Sequence, residues 1–240
     1  MGHGVRWLRP LLAAVVAAGG LTVPGVAHAS TVSSTVFSDG FGGDRFAPVD
    51  AGRWVGDTRD AWLDGDGHAV VGSWLLTAAT FGQSGGHASA RIRTGRWGAA
   101  WQALGVLGPD GGGISGQAES LGDRDTADGD FHTYAIDWTR TSFVWSIDGA
   151  QVLRLTPDDA GQPFRLALNL GGGGRYSDAI VVDSVSVSVR VTLKPGWKPF
   201  TTYRIGDQVS YRGANYRVKA QHTALPGWQP GLVPALFEKV

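Results

Sequence analysis

The sequence contains no cysteine, and only two of its 21 acidic residues are glutamates, Glu119 and Glu238. Without cysteine, disulfide bonds and thiolate metal sites are excluded. The charges balance, with 21 lysines and arginines against 21 aspartates and glutamates. A neutral chain lacks the excess positive charge that would attract it to nucleic acids or anionic membranes. We therefore expect neither nucleic acid nor a membrane as a partner.

One apolar run lies near the N-terminus, at residues 11–21. It follows Arg6 and Arg9 and precedes an Ala-His-Ala segment at residues 27–29. This order is typical of a secretory signal peptide, and the run is shorter than the roughly 20 residues that cross a bilayer. We predict that residues 1–29 are a signal peptide and that residues 30–240 are secreted to the extracellular space.

Glycine and tryptophan are abundant, with 37 and 10 residues respectively. Short runs of alternating apolar and polar residues recur between turn signals, which predicts strands rather than helices. Asp148-Gly149 predicts a hairpin turn. We expect an all-β fold built on a two-sheet jelly roll. The predicted strands are 74–79, 88–93, 132–138, 142–147, 164–170 and 180–191.

The composition changes near residues 194–196, and residues 197–240 are dense in aromatic side chains. A Tyr-x-x-Gly-Asp-x-Val-x-Tyr-x-Gly-x-x-Tyr motif begins at Tyr203. This segment resembles the chitin-binding type 3 modules, carbohydrate-binding families 5 and 12. The resemblance implies a small three-stranded, aromatic-rich β module that binds sugar.

Two aromatic residues of this segment are candidate sugar platforms, because a flat ring can stack on the C–H face of a sugar. Trp228 is flanked by proline and glycine, which predicts a loop position, and Tyr211 is the second candidate. Family members often carry tryptophan where this chain has Gln221, His222 and Phe237.

Several segments between residues 36 and 191 resemble glycoside hydrolase family 16, the laminarinase and lichenase group. They include Trp-x-Ala-x-Trp at residues 97–101 and segments at 37–43, 88–94, 131–138, 163–173 and 182–185. The resemblance implies a concanavalin-like jelly roll over residues 30–192 whose concave sheet holds a glucan. It places Trp97, Trp101 and His132 in the sugar cleft. A core position for the tryptophans and a structural role for the histidine remain alternatives.

The catalytic motif of that family is incomplete here. Its Glu-x-Asp-x-Glu motif puts three carboxylates on one strand face, and retention requires two carboxyl groups about 5 Å apart. In the best register this chain has Ser115, Gln117 and Glu119, so only the acid/base position keeps its glutamate. Aspartates near residues 110–130 could substitute, but they lie in glycine-rich turns.

Three hypotheses about function follow. The first is a secreted polysaccharide-binding protein, monomeric, with a degenerate hydrolase-like domain and an insoluble partner such as chitin, cellulose or β-1,3-glucan. The second is a β-glucan hydrolase or transglycosylase that cleaves O-glycosyl bonds with Glu119 as acid/base. A third, a protein-binding role, is disfavoured by the loop position expected for Trp228.

We expect no cofactor. The aspartates at residues 123–130 lack the spacing and the late glutamate of an EF-hand loop. Family 16 domains often carry a structural calcium on the outer face. Asp183 resembles one of its ligands, with Asp39 as a second candidate, so this is the one metal position that the resemblance suggests.

Overall fold

The computed structural model describes residues 25–26, 30–95, 100–171 and 179–240. The chain divides into two compact units, residues 31–193 and residues 1–30 with 194–240. Within the described ranges no helix has the length and apolar character needed to cross a membrane.

Strands are the main regular elements of both units, and two single-turn 3-10 helices lie at Thr58–Asp60 and Ala100–Ala103. The strands are β1 Gly25–Val26, β2 Ser30–Asp39, β3 Trp54–Gly56, β4 Ala61–Leu63, β5 Ala69–Val71, β6 Leu75–Thr77, β7 Gly86–Arg93, β8 Leu104–Leu107, β9 Gly116–Ser120, β10 His132–Trp138, β11 Phe143–Ile147, β12 Ala150–Pro157, β13 Arg165–Leu168, β14 Ile180–Leu193, β15 Thr201–Tyr203, β16 Gln208–Tyr211, β17 Ala214–Val218, β18 His222–Thr223 and β19 Phe237–Lys239.

The larger unit is a sandwich of two sheets. Nine strands form one sheet in the order β4-β5-β14-β7-β10-β11-β12-β9, with β2 beside β14. Four strands form the other in the order β3-β6-β13-β8. The predicted all-β jelly roll is confirmed.

Strand β7 shows how the sequence divides the nine-stranded sheet into two faces. Ala88, Ala90 and Ile92 are buried, whereas Arg91 and His87 between them face solvent. Successive side chains of a strand point to opposite faces, so the alternating sequence produces one wet and one buried surface.

Trp54, Trp138 and Trp145 are buried in the core between the sheets. The Trp138 ring meets Phe164 edge-on at 5.1 Å between centroids. The indole Nε1 of Trp145 on β11 donates to the carbonyl of Leu104 on β8 at 2.9 Å. This bond joins the two sheets and satisfies a polar atom that burial would otherwise leave unpaired.

Strand β14 contains a bulge at Asp183. Val182 pairs with Ile92 and Ser184 pairs with Arg91, so Asp183 is the extra residue. The bulge changes the phase of the alternation, which buries both Val182 and Val185. After the bulge, the buried valine face of β14 therefore starts at Val185, and it ends before Val191, which is 38% exposed.

The smaller unit has two three-stranded sheets, β1-β15-β18 and β16-β17-β19. Their shared core consists of Tyr203, Val209, Val218, Ala224 and Phe237. Strand β1 lies parallel to β15 and comes from the predicted signal peptide. Removal of residues 1–29 would take β1 away and leave β15 paired with β18.

We predict that Gly86→Ala destabilises the larger unit by about 1–3 kcal/mol, because overpacking a core forces its neighbours to move. A Cβ at this position would clash with the Trp138 ring and lie 2.5 Å from the Ser188 carbonyl oxygen. Gly82→Ala is the matched control, since nothing lies within 4 Å of its added Cβ. Denaturant unfolding measures both, and equal midpoints for the two variants would contradict the packing argument.

Candidate functional site

Trp228 is displayed by a tight turn in the smaller unit. Residues 225–228 read Leu-Pro-Gly-Trp, with Gly227 at φ +93° and the Trp228 amide donating to the Leu225 carbonyl at 2.9 Å. A type II turn has these features: a proline at its second position, a glycine with positive φ at its third position, and a hydrogen bond that closes the turn. The indole is 37% exposed, with His222 6.2 Å from it on one side. The turn therefore holds a partly free aromatic ring on a rigid backbone.

Tyr211 lies at a shallow groove of the same unit. The groove has a volume of about 280 Å³ and is lined by Tyr211, Arg212, Tyr216, Gln229, Pro230 and Leu232. Trp197 meets the Tyr211 ring edge-on at 5.8 Å, and the Arg212 guanidinium lies 5.4 Å from its centroid. The groove thus combines two tyrosines with a cation and an amide, a lining suited to sugar rings and hydroxyls.

Two of the three residues at the expected tryptophan positions, His222 and Phe237, pack within the smaller unit, whereas Gln221 is exposed. Phe237 is buried, and the half-buried His222 packs edge-on against it at 5.0 Å. His222 also contacts Tyr203 and binds the Ala220 carbonyl through Nδ1 at 2.8 Å. These two side chains pack on the small core, whereas Trp228 remains partly exposed.

Glu119 lies on β9, at the edge of the nine-stranded sheet. All five residues of β9 are exposed, and Glu119 sits opposite Arg154 of β12. No residue of β12 is acidic, and Glu119 is the only acid on β9. The candidate acid/base therefore has no second carboxylate on its own strand or on the strand that it pairs with.

Of the two tryptophans predicted to line the cleft, the structure describes only the backbone of one. Trp97 lies outside the described residues, and Trp101 is described by its backbone in the helix Ala100–Ala103. That helix joins the end of β13, where the amides of Asn169 and Leu170 donate to the carbonyls of Ala103 and Gln102.

Sequence reasoning missed Trp74, which is 41% exposed just before β6 of the four-stranded sheet. Its ring lies over Gly56 of β3, where an added Cβ would come within 2.6 Å of the indole. A glycine within a strand often marks close approach by another group. Gly56, two residues after the buried Trp54, is the feature of the sequence that could have indicated a bulky side chain such as Trp74 packed against this strand.

His132 forms a clamp between three segments of the larger unit. Its Nδ1 binds Asp148 Oδ2 at 2.8 Å and its Nε2 binds Asp128 Oδ1 at 2.9 Å. Asp148 also accepts the Thr133 amide at 2.9 Å and pairs with Arg124 at 3.2 Å. The contact of His132 with sugar stays a prediction, and both of its ring nitrogens are engaged by carboxylates.

The clamp shifts the pKa of each of its members. The hydrogen bonds that His132 donates to Asp128 and then to Asp148 raise the pKa of His132 above 6.5. The bond to His132 is the main cause of the lowered pKa of Asp128. Burial works to raise the pKa of Asp148, but His132, the Thr133 amide and Arg124 together hold that pKa below 3.8.

Asp183, the position suggested for calcium, lies beside an arginine and a histidine. Its Oδ1 lies 3.5 Å from Arg91 Nη1 and 3.8 Å from His68 Nε2. The carboxylate of Asp39 accepts the Trp54 indole and the Phe41 amide. Within the described ranges no group of three or more potential ligands is close enough to hold a metal. The neighbours of Asp183 thus disfavour a cation at this bulge.

Two family models match the chain. Residues 111–177 match glycosyl hydrolases family 16, and residues 196–238 match carbohydrate-binding module family 5/12. A family 16 glycosyl hydrolase domain is followed by a family 5/12 carbohydrate-binding module. The family 16 match contains Glu119 and His132, and the family 5/12 match contains Tyr211 and Trp228.

Similar proteins share only segments with this chain. Streptogrisin-C of Streptomyces griseus is 40% identical over 81 residues, which are 33% of this chain and 16% of that protein. Chitinase Chi52 of Paenibacillus xylanexedens is 46% identical over 44 residues, or 18% of this chain and 8% of the chitinase. Crh-like protein 5 of Aspergillus fumigatus is 47% identical over 55 residues, or 20% and 14%. The chain thus spans less than a fifth of the length of each relative.

Solved structures resemble the family 16 domain more weakly. An endo-β-1,3-glucanase from Pyrococcus furiosus is 17% identical with a TM-score of 0.49, covering 67% of this chain and 96% of the glucanase. A family 16 glycosyl hydrolase from Mycobacterium smegmatis is 19% identical with a TM-score of 0.42, covering 64% and 100%.

The clamp in the family 16 domain predicts a pH-dependent stability. The raised pKa of His132 gives stabilisation that is complete below about pH 6.5 and is lost as the pH rises through its folded value. The lowered pKa of Asp148 gives stabilisation that is present above about pH 3.8 and is lost as the pH falls through its folded value. Stability should therefore be greatest between these limits and fall towards pH 8.

Thermal unfolding between pH 5 and pH 8 checks this expectation. His132→Gln should lower the melting temperature at pH 5.5 and make it less dependent on pH above 6.5. A variant that keeps the wild-type slope in this range would show that His132 is not the responsible group.

Proposed function

We propose that this protein is a secreted polysaccharide-binding protein whose family 5/12 module docks on insoluble chitin or β-glucan through Trp228. The exposed indole on its rigid turn is the observation that carries the proposal. In this reading the family 16 domain adds a second sugar-binding surface and does not cleave the chain.

The chemistry of the family 5/12 module favours a neutral sugar. A pyranose ring presents a flat face of C–H groups, and a rigid aromatic ring gains apolar contact with it at little entropic cost. The Tyr211 groove adds an amide and a guanidinium that can donate to sugar hydroxyls. The balanced charge of the chain agrees with an uncharged ligand.

The geometry around Glu119 argues against cleavage. A retaining reaction needs a nucleophile about 5 Å from the acid/base, and a lone acid forgoes the covalent step that divides the barrier. Neither β9 nor β12 supplies that carboxylate. An exposed edge strand also lacks the dry walls that strengthen catalytic electrostatics.

The proposal also includes that the protein is extracellular and monomeric. The extracellular location rests on the leader-like residues 1–29 and on a partner that is too large and insoluble to lie inside a cell. Mass spectrometry of the exported protein would test the cleavage, with Ser30 expected as the first residue. A first residue before Gly25 would contradict it.

Binding is tested by depletion of residues 30–240 from solution on chitin, cellulose and curdlan. The wild type should be retained on at least one solid, and Trp228→Ala should weaken retention about tenfold or more, as truncation of a central aromatic contact does. Ile205→Ala is the control, since it removes another exposed apolar side chain of the same module, 71% exposed, that lies outside the Trp228 turn and the Tyr211 groove. Undiminished retention of Trp228→Ala would contradict the assignment of this residue.

Cleavage is tested in the same experiment by assaying the supernatant for soluble oligosaccharide. We expect no release by the wild type, and Glu119→Gln should be retained on the solid like the wild type. Release that Glu119→Gln abolishes would establish the hydrolase instead and would imply an aspartate in place of the missing nucleophile.

A further inference from the structure

The backbone of Trp74 is fixed on the outer face of the four-stranded sheet. Gly56 of β3 pairs with Leu75 of β6, and the amide of Asp57 donates to the Trp74 carbonyl at 3.2 Å. This bond continues the register by one residue, so Asp57 lies opposite Trp74. Leu75 is buried in the core. Because side chains alternate between the two faces of a sheet, Trp74 and Asp57 belong to the outer face.

The indole of Trp74 lies across β3 and remains partly free. Its Cε3 and Cζ3 atoms would lie 2.8 Å and 2.6 Å from a Cβ at Gly56, so one edge of the ring rests on bare backbone. The residue is 41% exposed. The indoles of Trp54, Trp138 and Trp145 donate to protein oxygens, whereas that of Trp74 makes no hydrogen bond within the described part of the chain. A flat ring and an available N–H donor therefore face solvent.

Two side chains of β3 and the residue after it border this ring. Val55 precedes Gly56, is 38% exposed and extends the apolar surface. Asp57 follows Gly56, and its carboxylate lies 3.8 Å from the Arg59 Nε, a long contact that leaves its oxygens available to accept hydroxyls. We call Val55, Asp57 and Trp74 the β3 patch. It combines the apolar and polar contacts that a pyranose ring and its hydroxyls require.

The size of the β3 patch favours a sugar over a protein partner. Burial of a tryptophan removes about 150–250 Å² from water, whereas a stable protein interface buries about 800 Å² on each partner. One or two sugar rings match the smaller area. The Asp57 carboxylate also disfavours an acidic sugar, since like charges repel at short range. A neutral polysaccharide is therefore the ligand class that fits.

We propose that the β3 patch is a sugar-binding site of the family 16 domain, in which Trp74 stacks on a pyranose ring of a neutral β-linked polysaccharide and Asp57 accepts its hydroxyls. This inference rests on the proposed function, which gives the domain a second sugar-binding surface, and it assigns that surface to particular residues. Trp74 lies outside the segments that carry the resemblance to family 16. The site is thus separate from the expected cleft residues Trp97, Trp101 and His132.

Nuclear magnetic resonance of ¹⁵N-labelled residues 30–240 tests the site, because each tryptophan gives its own indole N–H signal. Trp74→Leu assigns the signal of Trp74 by its disappearance, and Trp228→Ala assigns that of Trp228. The probes are the soluble hexasaccharides of chitin, cellulose and β-1,3-glucan. We expect at least one of them to shift the Trp74 signal, with a Kd of about 1 mM, as suits a contact of one or two rings. The shift should be the same in Trp228→Ala.

Asp57→Asn tests the polar part of the site. The Asp57 side chain does not cap the helix Thr58–Asp60, so the substitution removes a charge without removing a structural bond of that helix. We expect it to weaken hexasaccharide binding at Trp74 about threefold, because a charged acceptor makes the stronger hydrogen bond. Asp66→Asn is the matched control, an exposed aspartate of the same domain outside the β3 patch, and should leave the Kd unchanged.

A Trp74 signal that stays in place with all three hexasaccharides would overturn the inference. A shift that follows protein concentration instead of sugar would overturn it too and would indicate contact between two copies of the chain. If the Trp74 signal is unmoved while Trp228→Ala loses retention on the solid, the inference fails and the proposed function stands. If the Trp74 signal moves but no solid retains the wild type, the site stands and the proposed docking through Trp228 fails.

Discussion

The close packing of β7 against Trp138 is the constraint on which the larger unit depends. β7 lies between β10 and β14, and its inward positions are the small residues Gly86, Ala88 and Ala90, followed by Ile92. Because these side chains are small, the indole of Trp138 fits above the strand. The indole then packs on Phe164, which immediately precedes β13 of the four-stranded sheet. The outer face of the same strand remains polar. The strand β7 thus sets the thickness of the core on its inner face and forms a polar surface on its outer face.

The elements that could be predicted from the sequence are those whose signals lie within a few neighbouring residues. Residues 132–138 were expected as a strand and form one with those bounds, and the Asp148-Gly149 turn has positive φ at both residues. The small module was predicted from one motif, and Val209 of that motif lies in the core of the module. In these places alternation and turn chemistry lie within a few neighbouring residues, so a single sequence contains the necessary information.

The features that the sequence did not predict depend on long-range pairing. The bulge at Asp183 inserts one residue into a strand whose alternation looks regular from Val185 onward. The position of β9 at the sheet edge depends on pairing with β12, more than 30 residues later in the chain. The His132 clamp likewise joins a loop, a strand and a hairpin turn. None of these partners is visible from residue spacing, which explains why His132 and Glu119 were interpreted through the family resemblance alone.

The short parallel pairing of β1 with β15 covers a sheet edge that removal of residues 1–29 would open. With residues 1–29 removed, the backbone of Thr201–Tyr203 would present an open edge, and open edges invite a strand from another molecule. Pro199 has no amide hydrogen, and Phe200 leaves the extended conformation at φ +59°. Together they end the edge after three residues, too short to seed a growing sheet. The conformation that exposes the phenylalanine ring therefore also protects the protein from edge-to-edge aggregation.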